Sequence, residues 1–217
     1  MTDVHNLGLF ILAGWLLNLT PGPDVLFIVS SALRSGAKAG VVAALGITAG
    51  CFVHIFAAAL GVSALMAASS TAFTALKWAG AAYLFYVGLK LVLSSGTKPV
   101  ELMVANPVQT SDKNLKGIFF KGFLTNTLNP KVALFFLAFV PQFIAPQASH
   151  PALTFVLLGV LFNVNALPVN VGYALLAAWA TRRLGAVQRA LHWLDRVAGV
   201  MFVGFGIRLA LTEAPGG

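Results

Sequence analysis

The chain has 217 residues, of which 59% are hydrophobic and 9% charged. Soluble domains carry about a quarter charged residues, so this composition excludes a water-exposed globular fold and reads as a polytopic membrane protein. The net charge of +8 raises nucleic acid as a partner, a reading that its distribution along the chain removes below.

The N-terminus, MTDVHNLGLF, has an acid and no Lys or Arg before the first apolar run. It lacks the basic start of a signal peptide, so the first segment is expected to be retained. A helix needs roughly 20 apolar residues to cross the hydrocarbon core. The first run, at about 4–33, is interrupted by LTPGPD at 19–24. After the short basic connector RSGAKAG, a second run at about 39–68 carries His54 near its middle. It also holds Gly46 and Gly50 as a GxxxG, a motif for close helix packing, with Thr48 between them. Cys51, the single cysteine, lies in this run, so no intrachain disulfide can form and a Cys-based metal site is not expected. A third run covers about 71–95, and the long polar loop follows at about 96–113. The fourth, at about 114–145, is interrupted by LNPK at 128–131. The fifth, at about 151–181, carries Asn163, Asn165 and Asn170 around Pro168. Asn163 and Asn170 are seven apart and share a helix face, whereas Asn165 points elsewhere. A sixth run at about 190–212 follows a strongly basic connector.

Eleven of the fourteen basic residues flank alternate loops: Arg34 and Lys38; Lys90, Lys98, Lys113, Lys116 and Lys121; Arg182, Arg183, Arg189 and Arg196. By the positive-inside rule these loops are cytoplasmic, and the charge is a topology signal with no nucleic-acid partner behind it. Six spans then leave both termini outside. Should residues 4–20 not insert fully, a five-span arrangement with the N-terminus inside would take its place. The fold class expected is all-α, a single domain over 1–217.

Six spans divide into two sets of three, repeat one at about 1–95 and repeat two at about 114–217. An odd number of spans per set forces the sets into opposite orientations, a plan that recurs in secondary transporters. Three matches occur in the same order. LTPGPD and LNPK break the first span of each set, polar residues sit mid-span in spans two and five, and KWAGAAYLFYVGLKL (77–91) resembles RVAGVMFVGFGIRL (196–209).

Proline has no backbone N–H and clashes with the carbonyl four residues earlier. Pro21 therefore frees the carbonyl of Leu17, Pro23 that of Leu19 and Pro130 that of Asn126. A free carbonyl in hydrocarbon costs several kcal/mol unless protein, water or solute satisfies it. Thr20 reads as a helix N-cap with Pro21 in the first turn, and Asn129 as an N-cap with Pro130 following. Each span becomes two half-helices with a corner at mid-depth. Such corners offer acceptors from one half and donors from the other, a combination that suits a zwitterion. The prolines leave Gly22 as the main free N–H of the first corner.

Asp24 and Lys131 follow equivalent prolines, and an ion at the bilayer centre is usually paired or functional. They are expected to face a shared cavity. Asp24 is the candidate for holding a substrate ammonium or a coupling proton, and Lys131 for holding a carboxylate or pairing with Asp24. His54 is a candidate proton relay or a hydrogen-bonded structural group. Asn126 is placed to cap or coordinate at the second corner, and Asn163 to contact solute or bond across helices. Tyr83 and Tyr86 line the path or anchor at the interface. The four histidines are far apart in sequence, and no metalloprotease, nucleophile-elbow or phosphate-loop motif occurs, so no metal, cofactor or enzymatic activity is expected.

NLTPGPDVLFIVSSALRSGAKAGVVAALGITAG, KWAGAAYLFYVGLKL and GFLTNTLNPKVALFFLAFVPQF together resemble the lysine-exporter family, in its homoserine/threonine-efflux branch (LysE/RhtB). The resemblance covers nearly the whole chain. It implies a small bacterial inner-membrane exporter of amino acids, driven by the proton-motive force and dimeric. The family's motifs carry over to Pro21, Gly22, Pro23 and Asp24, and to Asn129, Pro130 and Lys131 with Asn126 upstream. Many members have an acid after the span-two glycine, where this chain has Cys51. The reading reached is export of a small neutral amino acid. A metal-cation exporter of the same superfamily and a non-transporting assembly component stand as alternatives.

Overall fold

The computed structural model describes residues 3–68, 114–145 and 148–179, with separate helical positions within 71–93 and 196–207. The third and sixth predicted spans, with Tyr83, lie largely outside the described residues. The regular elements described are all helices: α1 (Leu7–Leu19), α2 (Pro23–Ser35), α3 (Ala37–Ala68), α4 (Leu115–Thr127), α5 (Pro130–Leu134) and α6 (Pro151–Trp179). After α5 the chain continues as a π turn (Phe135–Phe139) and a 3-10 turn (Val140–Phe143).

Two single helices, Ala37–Gly61 and Pro151–Trp179, are long and apolar enough to cross a membrane. Two helix pairs qualify as spans when each is taken together. Leu7–Leu19 and Pro23–Ser35 bend by 50°, and Leu115–Thr127 and Pro130–Phe143 bend by 47°. The described part thus offers two spans, or four when each bent pair counts as one. Both interruptions fall where the proline motifs predict them. The α6 helix by contrast runs on through Pro168.

Where the first break begins differs from the sequence reading. Thr20 is the C-cap of α1, its hydroxyl donating back to the Leu16 carbonyl at 2.6 Å, and it does not cap α2. The cap of α2 is Gly22, in extended conformation, and Pro23 rather than Pro21 opens that helix. Either proline suits a first turn. The alternative that wins keeps Asp24 in the first turn of α2, where the positive end of the helix dipole favours a carboxylate. At the second break Asn129 caps as expected, its Oδ1 accepting from the Lys131 N–H at 3.0 Å.

The chain directions follow from two apolar clusters. One gathers Val25, Ile28 and Ala32 of α2, Ala39 and Ala43 of α3, Ile118 of α4, and Tyr173 and Ala177 of α6. It lies next to Arg34, Lys38 and Lys116 in sequence, and we call it the basic end. The other gathers Phe10 and Leu17 of α1, Cys51 and Ile55 of α3, Val132 and the phenylalanines 135, 136, 139 and 143, and Phe155 and Phe162 of α6. The α1–α2 pair therefore runs toward the basic end, and α4–α5 runs away from it. Likewise α3 leaves the basic end and α6 returns to it. Backbone bonds of the opening residues agree. His5 N–H donates to the Phe143 carbonyl at 3.0 Å and Ala145 N–H to the Asp3 carbonyl at 2.9 Å. The start of the first broken segment thus meets the end of the second.

The GxxxG of α3 acts as its spacing predicts. A Cβ on Gly46 would run into the Phe119 carbonyl, and one on Gly50 into that of Phe123. From the other side, a Cβ on Gly122 would sit 2.7 Å from the Ala43 carbonyl. These glycines let α3 and α4 approach backbone to backbone. Gly46→Val is expected to lower stability by about 2–3 kcal/mol, the effect of overpacking a close contact, seen as a lower Tm in detergent. An unchanged Tm would show that the helices have room there.

Candidate functional site

Between the two clusters lies a polar layer. Its cavity is lined from α1 and the first break by Asn18, Thr20 and Gly22, and from α2 by Asp24. The second break adds Asn126, Asn129 and Lys131, α3 adds Thr48 and Cys51, and α6 adds Asn163 and Asn170. Leu17, Val25, Ile47, Val132, Phe162 and Ala166 complete the wall with apolar side chains. Thr20, Gly22, Asp24, Asn126, Asn129, Lys131 and Asn163, named from sequence, are all among these residues. His54 is not; it lies one turn beyond Cys51 on α3. About 30 Å³ is open to the centre of a water-sized sphere, room for a few water molecules and too little for an amino acid. The conformation is closed, and solute entry requires the helices to part.

The three carbonyls freed at the two breaks each have a side-chain donor, and that of Asn126 also accepts from the Asn129 N–H at 2.9 Å. Lys131 Nζ donates to the Leu17 carbonyl and to the Thr20 carbonyl, both at 2.9 Å. The Tyr173 hydroxyl donates to the Leu19 carbonyl at 2.7 Å. His54 Nε2 donates to the Asn126 carbonyl at 2.8 Å. A carbonyl acceptor requires the proton on that nitrogen, which fixes the tautomer of a neutral imidazole. The donors are reciprocal. Lys131 and Tyr173 follow the second break and satisfy the first, while His54 lies on α3 and satisfies the second. The Lys131 ammonium rests against the negative, C-terminal end of α1, the favourable end of that helix dipole for a cation.

Asp24 is held from one side. Asn126 Nδ2 donates to its Oδ2 at 2.8 Å and Asn129 Nδ2 to the same oxygen at 2.9 Å. Lys131 is the cation that acts on it most strongly. Its other oxygen, Oδ1, is buried without a hydrogen-bond partner, as is Asn126 Oδ1. The amide orientation of Asn126 is dictated here, because only its nitrogen can face the carboxylate. Two buried acceptors are therefore unfilled in a wall that holds the Lys131 ammonium, together with one donor, Asn18 Nδ2. Unfilled buried polar atoms are rare enough to point to a ligand or water.

The asparagines of α6 separate as their spacing predicts. Asn163 and Asn170 are buried at the cavity, Asn163 donating to the Thr48 carbonyl at 3.1 Å. Asn165 faces away and accepts from the Trp15 indole at 3.4 Å. Tyr86 is 58% exposed and does not line the cavity. The sequence reading missed Asn18 and Tyr173. Asn18 is a polar residue within one turn of a predicted break, and Tyr173 is three residues beyond Asn170 on the same helix face. Both signals were available. Among the described residues no three His, Cys, Asp or Glu side chains come together as a metal site.

A charge-complementary polar layer inside an apolar helical body, bounded by two broken helices, defines a membrane translocator. The family model for LysE type translocators matches residues 15–213, and the chain belongs to that family. Its members are transporters, not enzymes. An uncharacterized membrane protein of Pseudomonas aeruginosa is 36% identical over 197 residues, 88% of each chain. One from Vibrio cholerae is 31% identical over 217 residues, covering 98% of this chain and 100% of the relative. The leucine efflux protein of Salmonella typhimurium is 27% identical over 211 residues, 97% of each chain. No solved structure matches.

Proposed function

We propose that this protein is a secondary exporter of a small, net-neutral amino acid across the bacterial inner membrane, driven by the proton-motive force. The observation that carries the reading is the cavity itself: one carboxylate and one ammonium, brought from two oppositely directed broken segments, face the same space. The likeness to leucine efflux proteins over 97% of the chain supports an amino acid as cargo.

One acid and one base line the cavity, so a zwitterion enters without leaving an uncompensated charge. The substrate ammonium binds the open acceptors Asp24 Oδ1 and Asn126 Oδ1, and its carboxylate turns toward Lys131 and the Asn18 amide. Thr20, Gly22, Asn129 and Asn163 complete the binding set, and the apolar wall accepts an aliphatic side chain. Asp24 and His54 carry the coupling proton, linked through Asn126, whose amide reaches one and whose carbonyl the other. A hard metal cation would need several oxygen ligands and would face the Lys131 ammonium, which makes it the poorer fit.

The two halves are inverted three-helix repeats. The similar lengths of their broken segments and the opposite directions of α3 and α6 support this plan. Both termini face the periplasm, following the basic residues, and the protein works as a homodimer. Comparing metabolites in the medium with and without the protein, followed by export from loaded proteoliposomes under an imposed pH gradient, tests the function. Gradient-dependent release of a neutral amino acid is expected. Release that ignores the gradient would refute the coupling, and no amino-acid release would refute the function.

A further inference from the structure

Two of the donors to the proline-freed carbonyls, His54 and Tyr173, occupy matched positions. On α3 the last cavity-lining residue is Cys51, and His54 comes three residues later, away from the basic end. On α6 the last is Asn170, and Tyr173 comes three residues later, toward the basic end. Three residues are about one helical turn, roughly 4.5 Å. The two donors therefore close the cavity from opposite ends, each by a bond between an unbroken helix of one half and the break of the other.

Taking the chain as an exporter, as above, we propose that Tyr173 and His54 are its two gates, Tyr173 at the basic end and His54 at the opposite end. Opening the basic end draws α6 away from the first break and breaks the bond from the Tyr173 hydroxyl to the Leu19 carbonyl. Opening the other end draws the His54 stretch of α3 away from the second break and breaks the bond from His54 Nε2 to the Asn126 carbonyl. In each case entering water takes over the freed carbonyl, so the exchange is nearly balanced in free energy. A side-chain hydrogen bond to a carbonyl at a helix break suits a gate for that reason. It holds firmly in a dry site and yields when the site is wetted. The proline supplies the carbonyl by removing its helical donor. Neither residue acts on the solute directly; both are positioning residues that decide which end is closed.

The chain contains its own reporter. Cys51 is the only cysteine and lines the cavity. Its alkylation by a membrane-impermeant maleimide is measured in right-side-out and inside-out vesicles. With Tyr173→Phe, labelling is expected to rise about tenfold from the side of the basic loops and to stay unchanged from the other, the shift that loss of one hydrogen bond gives a two-state equilibrium. With His54→Leu the sides are reversed, and His54→Gln, which keeps an N–H donor, restores slow labelling. Tyr173→Leu serves as a second variant should Tyr173→Phe aggregate, with the same sided rise expected. A rise from both sides, from the same side for both residues, or from neither would overturn the gates. Leucine efflux in the same vesicles reads the exporter function separately. Sided labelling without movement of any amino acid would leave the gates and remove the exporter.

Discussion

Asp24→Asn is expected to lower export by at least about a hundredfold while the protein remains folded, because a charge pair at a desolvated site loses one partner. The substitution keeps the shape of the side chain and an oxygen for the Asn126 and Asn129 amides, which donate at 2.8 and 2.9 Å. It removes the charge on Oδ1, the atom without a partner in the closed state. The packing of α2 against α3 is left alone. Initial rates from loaded proteoliposomes, beside an elution profile that reports folding, separate the two effects. Export near the wild-type rate would take Asp24 out of the mechanism.

Lys131→Met acts on folding as well as on transport. The methionine leaves the carbonyls of Leu17 and Thr20 without the ammonium that satisfies them, and leaves Asp24 without its strongest positive neighbour. Breaking a buried ionic arrangement by removing one member is expected to destabilise by about 3–5 kcal/mol. The Tm in detergent should fall accordingly and export should cease. Combining it with Asp24→Asn should recover part of the stability and none of the transport, since the carboxylate then no longer needs compensation. Strictly additive losses in the double variant would contradict a coupled pair.

The breaks, the shared cavity and most of its polar lining were legible in the sequence, because proline has a fixed physical consequence. It deletes a donor and frees one identifiable carbonyl, so Leu17, Leu19 and Asn126 could be named in advance. Asp24 and Lys131 were legible because ionised groups are costly at mid-depth. What satisfies the freed carbonyls was not. Tyr173 reaches Leu19 across 154 residues of chain, and nothing local marks that pairing. Thr20 was assigned to the wrong helix end because TPGP contains two residues able to cap and two prolines able to start a helix. Local propensity does not choose between them; the placement of Asp24 in the first turn does.

His54 illustrates a different limit. Its position mid-helix is open to a proton relay or a hydrogen-bonded structural group, and its geometry shows it bonded to a backbone carbonyl at the second break. Proton relay and gate are compatible uses of that contact, and sequence alone offers no means of finding its partner 72 residues away.

In the proposed exporter the solute sits between the two breaks, beside Asp24, Asn126 and Lys131. Cys51 opens onto that space, so its alkylation rate in the presence of the exported amino acid is the most direct measurement. Protection that saturates with the amino acid in wild type, and is absent in Asp24→Asn, is the predicted result. An alkylation rate unaffected by an amino acid that the protein demonstrably exports would contradict it.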